Sequence, residues 1–506
     1  MKNYWFIFSM LIGVILLAGC NDSEADNVVQ ELSFTSATDV VGMSPLSTND
    51  SASSTIIIQI YDTLFKKDNE TGEIIPHLVE DYESIDDYTW EFKLIEDIKF
   101  HDGTDLNAEA VKYTFDELVD PERAAPRASL LEPVSEVEVI DEYTFRIHTT
   151  EPYGPLLSAL SHVNSSIVSP EADKEQDINN EPVGSGPFKL DKWTNGSEVV
   201  LVKNEDYFLG EPALEKVTMH IIPEFSSSID MLETGQIDFI YAIPSEHFDR
   251  VEDLDGVTLQ AETGTPVRSI GFNMTKEPFN NLEFRQAVAH AIDRDEYSLL
   301  IGKTGTISSS IIGSEVFGYD ESMEDFGYEY DLEKSKALVE EYEFDKEEVK
   351  LLIPSQGQYP IMGDYIYSKM DEAGFNVSIE RVEWGTYLEL TAEANYDMTL
   401  LGWSNLTADG SELFYPTLHS DNIGASNRAQ FNNSDFDKLV EDSRVTIDED
   451  ERREILKEAN ELAINEAVWI ALHHESNTIA YHDNVENLSV DSSGDIWLYE
   501  VQITDN

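Results

Sequence analysis

Positive charge is scarce in this sequence: 506 residues carry 32 Lys+Arg against 101 Asp+Glu, a formal net charge of −69. A field of that sign repels phosphate backbones, which excludes nucleic-acid binding as a function class. It equally excludes docking by charge onto an anionic lipid surface. Cysteine is almost missing, with one in the whole chain, so neither an internal disulfide nor a redox pair can form. Beyond the first twenty residues no apolar run is long enough to cross a bilayer. There is no low-complexity segment and no repeat of solenoid period. A Gly-x-Ser-x-Gly nucleophile elbow is lacking too, and nothing else marks a catalytic apparatus. The acids are spread along the chain rather than gathered in a tail, and charged residues total 26%, close to the globular norm. That combination reads as a solvated acidic shell of the halophile kind, which keeps a protein soluble in strong salt. The length suggests two or three domains.

What is present begins at the N-terminus. Lys2 gives a short positive start, and Tyr4 to Gly19 is an almost unbroken apolar run. About sixteen residues is short for a spanning helix and right for a signal-peptide core. The run ends Leu17-Ala18-Gly19-Cys20, placing the lone cysteine at a small-residue cleavage site. This is similar to the lipobox of bacterial lipoproteins, in which the Cys is acylated and becomes the new N-terminus. The alternative is an uncleaved anchor with an incidental Cys. The expectation is therefore a signal peptide over 1–19, a lipidated tether over 20–27, and lipid attachment at Cys20. The acidic stretch Asn21 to Asn27 suits a flexible tether.

The remainder is mixed α/β. Tyr88 to Leu94 alternates, putting Trp90, Phe92 and Leu94 on one strand face. Asn107 can cap a helix with Glu109 in its first turn and Val111, Phe115 and Leu118 inward. A second helix is expected from about Leu282 to Ile292, with Phe284, Val288 and Ala291 buried. A third follows Asp448, with Ile455, Ala459, Leu462 and Ala463 on its core face. Strands are expected at Val199–Val202, Val217–Ile221, Val349–Ile353 and Met398–Leu401.

Several blocks then fall in a recognisable order. They begin with Gln59-Ile60-Tyr61-Asp62-Thr63-Leu64 and the run from Trp90-Glu91-Phe92-Lys93-Leu94 through Phe100-His101-Asp102-Gly103-Thr104 to Ala110-Val111-Lys112. Pro182-Val183-Gly184-Ser185-Gly186-Pro187-Phe188, Asn204-Glu205-Asp206-Tyr207-Phe208 and Leu232-Glu233-Thr234-Gly235-Gln236-Ile237-Asp238 follow. Gly271-Phe272-Asn273, Phe284-Arg285-Gln286-Ala287-Val288 and Leu401-Gly402-Trp403 complete the set. Together they resemble family 5 of the extracellular solute-binding proteins of bacterial ABC transporters, the dipeptide, oligopeptide, nickel and glutathione binders.

The resemblance implies an α/β, two-lobed, periplasmic-binding-protein-like fold of type II, a Venus flytrap with an extra domain inserted in the first lobe. Lobe I is expected at 28–53, 181–268 and 478–506, the inserted domain at 54–180, and lobe II at 269–477. The crossings fall near Glu262–Arg268 and Ser476–Ala480. The implied function is a lipid-anchored receptor that captures peptides between the lobes and delivers them to an ABC importer, without chemistry on the solute. Glutathione or a nickel or other metal chelate is the alternative ligand. The implied partners are the peptide, permease subunits with ATPases on other chains, and the membrane through the N-terminal lipid. The protein itself is expected to be a monomer on the outer face of the cytoplasmic membrane, on the periplasmic side if an outer membrane is present. No cofactor or metal is expected.

For a peptide, the resemblance implies binding by strand addition. The expected edges are Phe34 to Thr38, hence Thr35, Ser36 and Thr38, and Gly402-Trp403-Ser404-Asn405. In dipeptide and oligopeptide binders an aspartate three residues after this Trp takes the ligand's ammonium. Here that position is Leu406, and Asp409 is the nearest substitute. Arg127 or Arg268 could clamp the opposite carboxylate bidentately, or each could serve a structural ion pair. Arg285 reads as structural. Gly184-Ser185-Gly186-Pro187 reads as a tight turn and not a nucleotide loop. His473-His474-Glu475 does not match a metal spacing and reads as a structural pair of histidines. An EF-hand echo at Asp253, Asp255, Gly256 and Glu262 lacks its first ligand position.

Overall fold

A computed structural model describes residues 29–68, 73–324, 326–346, 348–355, 357–405 and 407–505. The expected signal peptide, the tether and Cys20 lie outside these residues, as does Leu406. No helix among the described residues is long and apolar enough to cross a membrane.

The first strand, β1 (Glu31–Ser36), is followed by a hairpin of β2 (Phe65–Lys67) and β3 (Ile74–Pro76). Next come β4 (Val79–Asp86), β5 (Thr89–Leu94), β6 (Val134–Val139) and β7 (Thr144–Thr149), an antiparallel sheet in the order β4-β5-β7-β6. Phe92 and Leu94 are fully buried and Trp90 partly so, as the alternation of β5 predicts. The chain returns through β8 (Phe188–Thr194), β9 (Glu198–Lys203), β10 (Lys216–Ile221) and β11 (Phe239–Tyr241). Then follow β12 (Val257–Phe272), β13 (Gly305–Ile307), β14 (Val349–Pro354), β15 (Val377–Val382), β16 (Met398–Trp403) and β17 (Trp469–His482). One sheet joins them in the order β15-β14-β16-β12-β17-β11-β1-β10-β9-β8, with β13 beside β17.

Two long strands therefore connect the halves. At one end β12 pairs with β16, and at the other β17 pairs with β11. Their mutual ladder breaks between Thr263 and Val267, within the crossing expected at Glu262–Arg268. There Thr265 donates to the Ser492 carbonyl instead of to its neighbouring strand. A break in pairing between two continuous strands is the structural element from which a domain hinge is made.

The cores divide in the same way. Buried side chains of the four-stranded sheet (Phe92, Phe145) and of the first lobe (Leu32, Phe34, Leu201, Met219) belong to one apolar cluster. The second lobe has two large clusters, one on each face of its sheet, with Ile270, Phe272, Met398 and Leu400 on one side and Val267 and Leu401 on the other, and a small one of Leu352, Tyr387 and Tyr396. Alternate residues pointing to opposite faces explain the split.

Helix Ala108–Val119 begins where expected: the Asn107 side chain accepts from the backbone N–H groups of Glu109 and Ala110, a cap worth about 1 kcal/mol. Helix Leu282–Ala291 buries Phe284, Val288 and Ala291. Helix Glu449–Asn465 starts after its Asp448 cap, but its buried face is rotated from the expected one. Arg452, Leu456, Ala459, Asn460 and Ala463 point inward, while Ile455 and Leu462 are only half-buried. Two polar residues with internal partners occupy the core face, and a count of apolar spacings assigns them to solvent. The Gly184–Pro187 segment is also corrected. A Cβ on Gly184 would lie 2.0 Å from the Ile60 carbonyl oxygen, and one on Gly186 2.6 Å from the Ile60 carbonyl carbon. These glycines serve a close approach of two backbones rather than a tight turn.

Candidate functional site between the lobes

A cavity of about 710 Å³ opens where hairpin β2–β3, the C-terminal segment 487–500 and Thr407–Ala408 of the second lobe meet. Tyr241 and Ala242 at the end of β11, and Asn477 on β17, complete its wall. A smaller space of about 260 Å³ shares Tyr241, Ala242, Asn477 and Gly494 and continues to Gln358 and Glu475. The larger volume lies in the range of small-ligand sites, and its wall draws on both halves and one hinge strand.

The charges on this wall differ in how they are answered. Asp62 accepts from His77 Nε2 at 2.8 Å, Ser185 Oγ at 2.7 Å and Tyr207 OH at 3.1 Å, so its burial is fully compensated. Lys67 Nζ donates to the Glu315 carbonyl at 3.0 Å and to Ser492 Oγ. Burial lowers its pKa against the attraction of Asp491 and Glu315. Lys66 holds its ammonium 5.8 Å from the centre of the Trp497 ring, a cation–π contact. Asp491 Oδ1 accepts from the backbone N–H groups of Ser493 and Asp495, each at 2.8 Å. Asn477 Nδ2 donates to the Asp491 carbonyl at 2.8 Å, tying the loop to the hinge strand. Asp495 is enclosed by protein yet keeps part of its surface open to the cavity. Burial, and then the neighbouring charge of Asp491, push its carboxyl up to about 7.

None of the residues expected to contact a ligand lines either space, whereas Glu475, read as part of a structural group, lines the smaller one. Thr35 and Ser36 are buried, with β1 paired to β10 along its length and to β11 at Phe34 alone, and Ser36 Oγ donates to the Thr38 carbonyl. Gly402 and Trp403 end β16, half-buried, with Trp403 packed on the second-lobe core. Ser404 is exposed. Asn405 turns inward, its Nδ2 donating to the Asp409 carbonyl at 2.8 Å.

Asp409 is fully buried and caps helix Gly410–Leu418, its Oδ1 accepting from the Ser411 N–H at 2.9 Å and from Arg452 Nη2 at 2.6 Å. Its charge is already answered inside the second lobe. Arg268 reaches Glu475 through two bonds of 2.7 Å, Nε to Oε1 and Nη2 to Oε2. This fork links the two hinge strands, the structural ion pair of the two roles weighed for it. Arg127 is different: its Nε is buried without a hydrogen-bond partner, and burial lowers its pKa. Together with burial, its charge holds His162, a wall residue, down to about 3.

The structural reading of the other candidates follows from their partners. Arg285 donates to the carbonyls of Glu466 and Phe279. His473 Nδ1 meets Tyr297 OH at 3.0 Å and His474 Nε2 meets the Ser310 carbonyl at 3.1 Å. Burial lowers both, to about 3 and about 4, so both rings are neutral.

With this geometry in hand, the relatives are informative. Residues 73–425 match the bacterial extracellular solute-binding proteins, family 5 middle. The chain belongs to this family. A heme-binding protein from Haemophilus influenzae is 27% identical over 448 residues, 82% of each chain. A glutathione-binding protein from Escherichia coli is 27% identical over 94% of each chain. A dipeptide-binding protein from Pseudoalteromonas, solved with Met-Leu, superposes with a TM-score of 0.77 at 24% identity, covering 94% of this chain and 100% of that one. The fold is thus the type II, two-lobed architecture of the family 5 solute-binding proteins.

For a family 5 protein, the wall residues that the sequence reading passed over are Lys66, Lys67, Asp491, Asp495 and Trp497. The lysines carried a usable signal, being two adjacent cations in a chain poor in them. Asp491 to Asp495 carried none: Asp-Ser-Ser-Gly-Asp reads as an ordinary polar turn, and only the fold brings it back to hairpin β2–β3.

Proposed function

We propose that this chain is a lipid-anchored receptor that captures short peptides between its lobes and delivers them, unaltered, to the permease of an ABC importer. In this reading the lobes are those expected from sequence, and they close about β12 and β17. The supporting observation is the composition of the cavity wall. Tyr241 and Ala242 come from one lobe, Thr407 and Ala408 from the other, and Lys66 and Lys67 from the inserted domain. A ligand touching all three favours the closed arrangement by its differential affinity. Main-chain pairing at Gly402 to Ser404 gives tolerance of sequence. Arg127, with no acid to answer it, is the carboxylate partner in this reading.

Glutathione is a second reading, favoured by 27% identity over 94% of each chain to a glutathione-binding relative. The test is mass spectrometry of whatever co-purifies with the soluble form lacking residues 1–20. A nested set of short peptides is expected. One defined small molecule would replace the peptide reading with the second. Scattering curves unchanged by every retained solute would remove closure.

A further inference from the structure

Asp409 leaves the cleft without the acid that a ligand ammonium needs, because its charge is spent on Arg452. A buried ammonium without a counter-charge is costly, so the cavity must supply another acid if peptides enter it. We infer that the carboxylate of Asp495 is that partner, receiving a primary ammonium of the ligand beside the Trp497 ring. The assignment depends on a peptide-like ligand entering the cleft.

The loop that carries Asp495 is built rather than loose. Asp491 N–H donates to the Asp495 carbonyl at 2.9 Å, and Gly494 N–H to the Asp491 carbonyl at 3.1 Å. Asp491 Oδ1 takes the Ser493 and Asp495 N–H groups. Gly494 adopts a φ of +94°, a left-handed conformation that favours glycine at this turn. The result is a tight acidic loop clamped to hinge strand β17.

Within it the two carboxylates are unequal. Asp491 has two backbone donors and the nearby Lys67 ammonium. Asp495 makes no side-chain hydrogen bond or ion pair among the described residues, although it faces the cavity. Lys66, the one other cation at hand on the wall, sits over Trp497 instead. A ligand cation placed there would relieve the like-charge cost that Asp491 imposes, and it would gain a charge-assisted hydrogen bond. It would also be held directly against the hinge, where closure is decided.

Other ionisable groups face the cavity as well, among them His162, which burial and Arg127 hold low. From the segment that carries Asp495, Asp491 and Glu500 face the same space. Lys66, Lys67 and Asp68 face it from hairpin β2–β3, while Asp62 and His77 are bound to each other. Burial and the Asp491 charge raise the Asp495 carboxyl well above the ordinary carboxylate range when empty, so it takes up a proton at a higher pH than a free acid and then cannot hold a cation. The affinity for an ammonium should therefore fall as pH drops through 7.

The test offers the full mature chain a tryptic digest of casein, the same digest with α-amines blocked, and the digest with every amine acetylated. Retained peptides are read by mass spectrometry, and the affinity of one retained peptide by calorimetry. The expected result is capture that needs a free amine, with Asp495→Asn weakening it roughly 10- to 100-fold, the scale of one charge-assisted contact. Capture of α-blocked peptides with a free lysine, lost in Asp495→Asn, assigns the same seat to a side-chain ammonium. Should the variant fold poorly, the wild type still decides. Its affinity should be roughly tenfold lower at about pH 5.5 than at about pH 7.5, since peptide α-amines stay charged across most of that span. Equal capture of fully acetylated peptides, or a pH-independent affinity, overturns the assignment while leaving a peptide receptor. Retention of no peptide from any digest removes the peptide reading, and this one with it.

Discussion

Two regions of this molecule handle buried charge in opposite ways. In the second lobe and the hinge, three guanidinium groups meet an acid, Arg452 with Asp409, Arg268 with Glu475, and Arg444 with Glu412 at 3.2 Å, while Arg285 and Arg294 donate to backbone carbonyls. Across the cleft, Asp495 faces the cavity and Arg127 is half-buried with its Nε enclosed, neither side chain having a partner among the described residues. The first set closes its electrostatics inside the fold, so it fixes geometry and offers little to a ligand. The second set carries an unmet desolvation cost, which a ligand of opposite charge can offset. In a chain with 101 acids, an unpaired arginine is the more informative of the two.

Breaking the paired side should have the largest effect. Arg452→Met leaves Asp409 as a buried, uncompensated charge whose Oδ2 already lacks a hydrogen bond. The expected loss is about 3–5 kcal/mol in a urea titration. Adding Asp409→Asn should recover a large part of it, because the stranded charge is then removed. If Arg452→Met unfolds at the wild-type midpoint, the pair contributes nothing and the contrast between the regions fails.

A smaller effect is expected at the hinge. A Cβ on Gly402 would lie 1.9 Å from Arg268 Nη1, so Gly402→Ala must displace the guanidinium from its fork with Glu475. Overpacking of this kind costs about 1–3 kcal/mol. The cost should shrink in an Arg268→Ala background, which a double-mutant cycle would measure directly. A full, additive cost in that background would mean that Gly402 is required by something other than the ion pair.

These two pairs also mark what could be read in advance. The fold was legible because it is carried by local pattern: alternation along β5, the Asn107 cap, the stripe of helix Leu282–Ala291 and the ordered family blocks. The two crossings were expected from the family resemblance, near Glu262–Arg268 and Ser476–Ala480, segments that fall within β12 and β17. The site was less legible, because a charge's role depends on what lies across from it. Asp409 and Arg452 are far apart in sequence and meet only when two helices pack. Asp495 reaches hairpin β2–β3 only through the return of the chain after β17. Spacing nominates charged residues, whereas partners at long range decide which remain available.

The smallest expected effect on stability, and the sharpest use of the contrast, is at Arg127. Arg127 is half-buried with its Nε enclosed, and a guanidinium partly desolvated without an acid beside it gets no Coulombic return. Replacing it with Met keeps much of the side-chain volume and removes the charge. The expected change is therefore within about 1 kcal/mol and of either sign, unlike the loss at Arg452. His162 should respond at the same time: its imidazole is depressed chiefly by burial and secondarily by Arg127, so its titration should move upward while remaining below the ordinary histidine range. Ligand affinity should separate from stability. Peptides with a free carboxyl terminus should bind Arg127→Met more weakly, and the amidated forms should bind both proteins alike. A destabilisation matching that of Arg452→Met would mean that Arg127 has an internal partner after all, and it would return this side of the cleft to the same class as the second lobe.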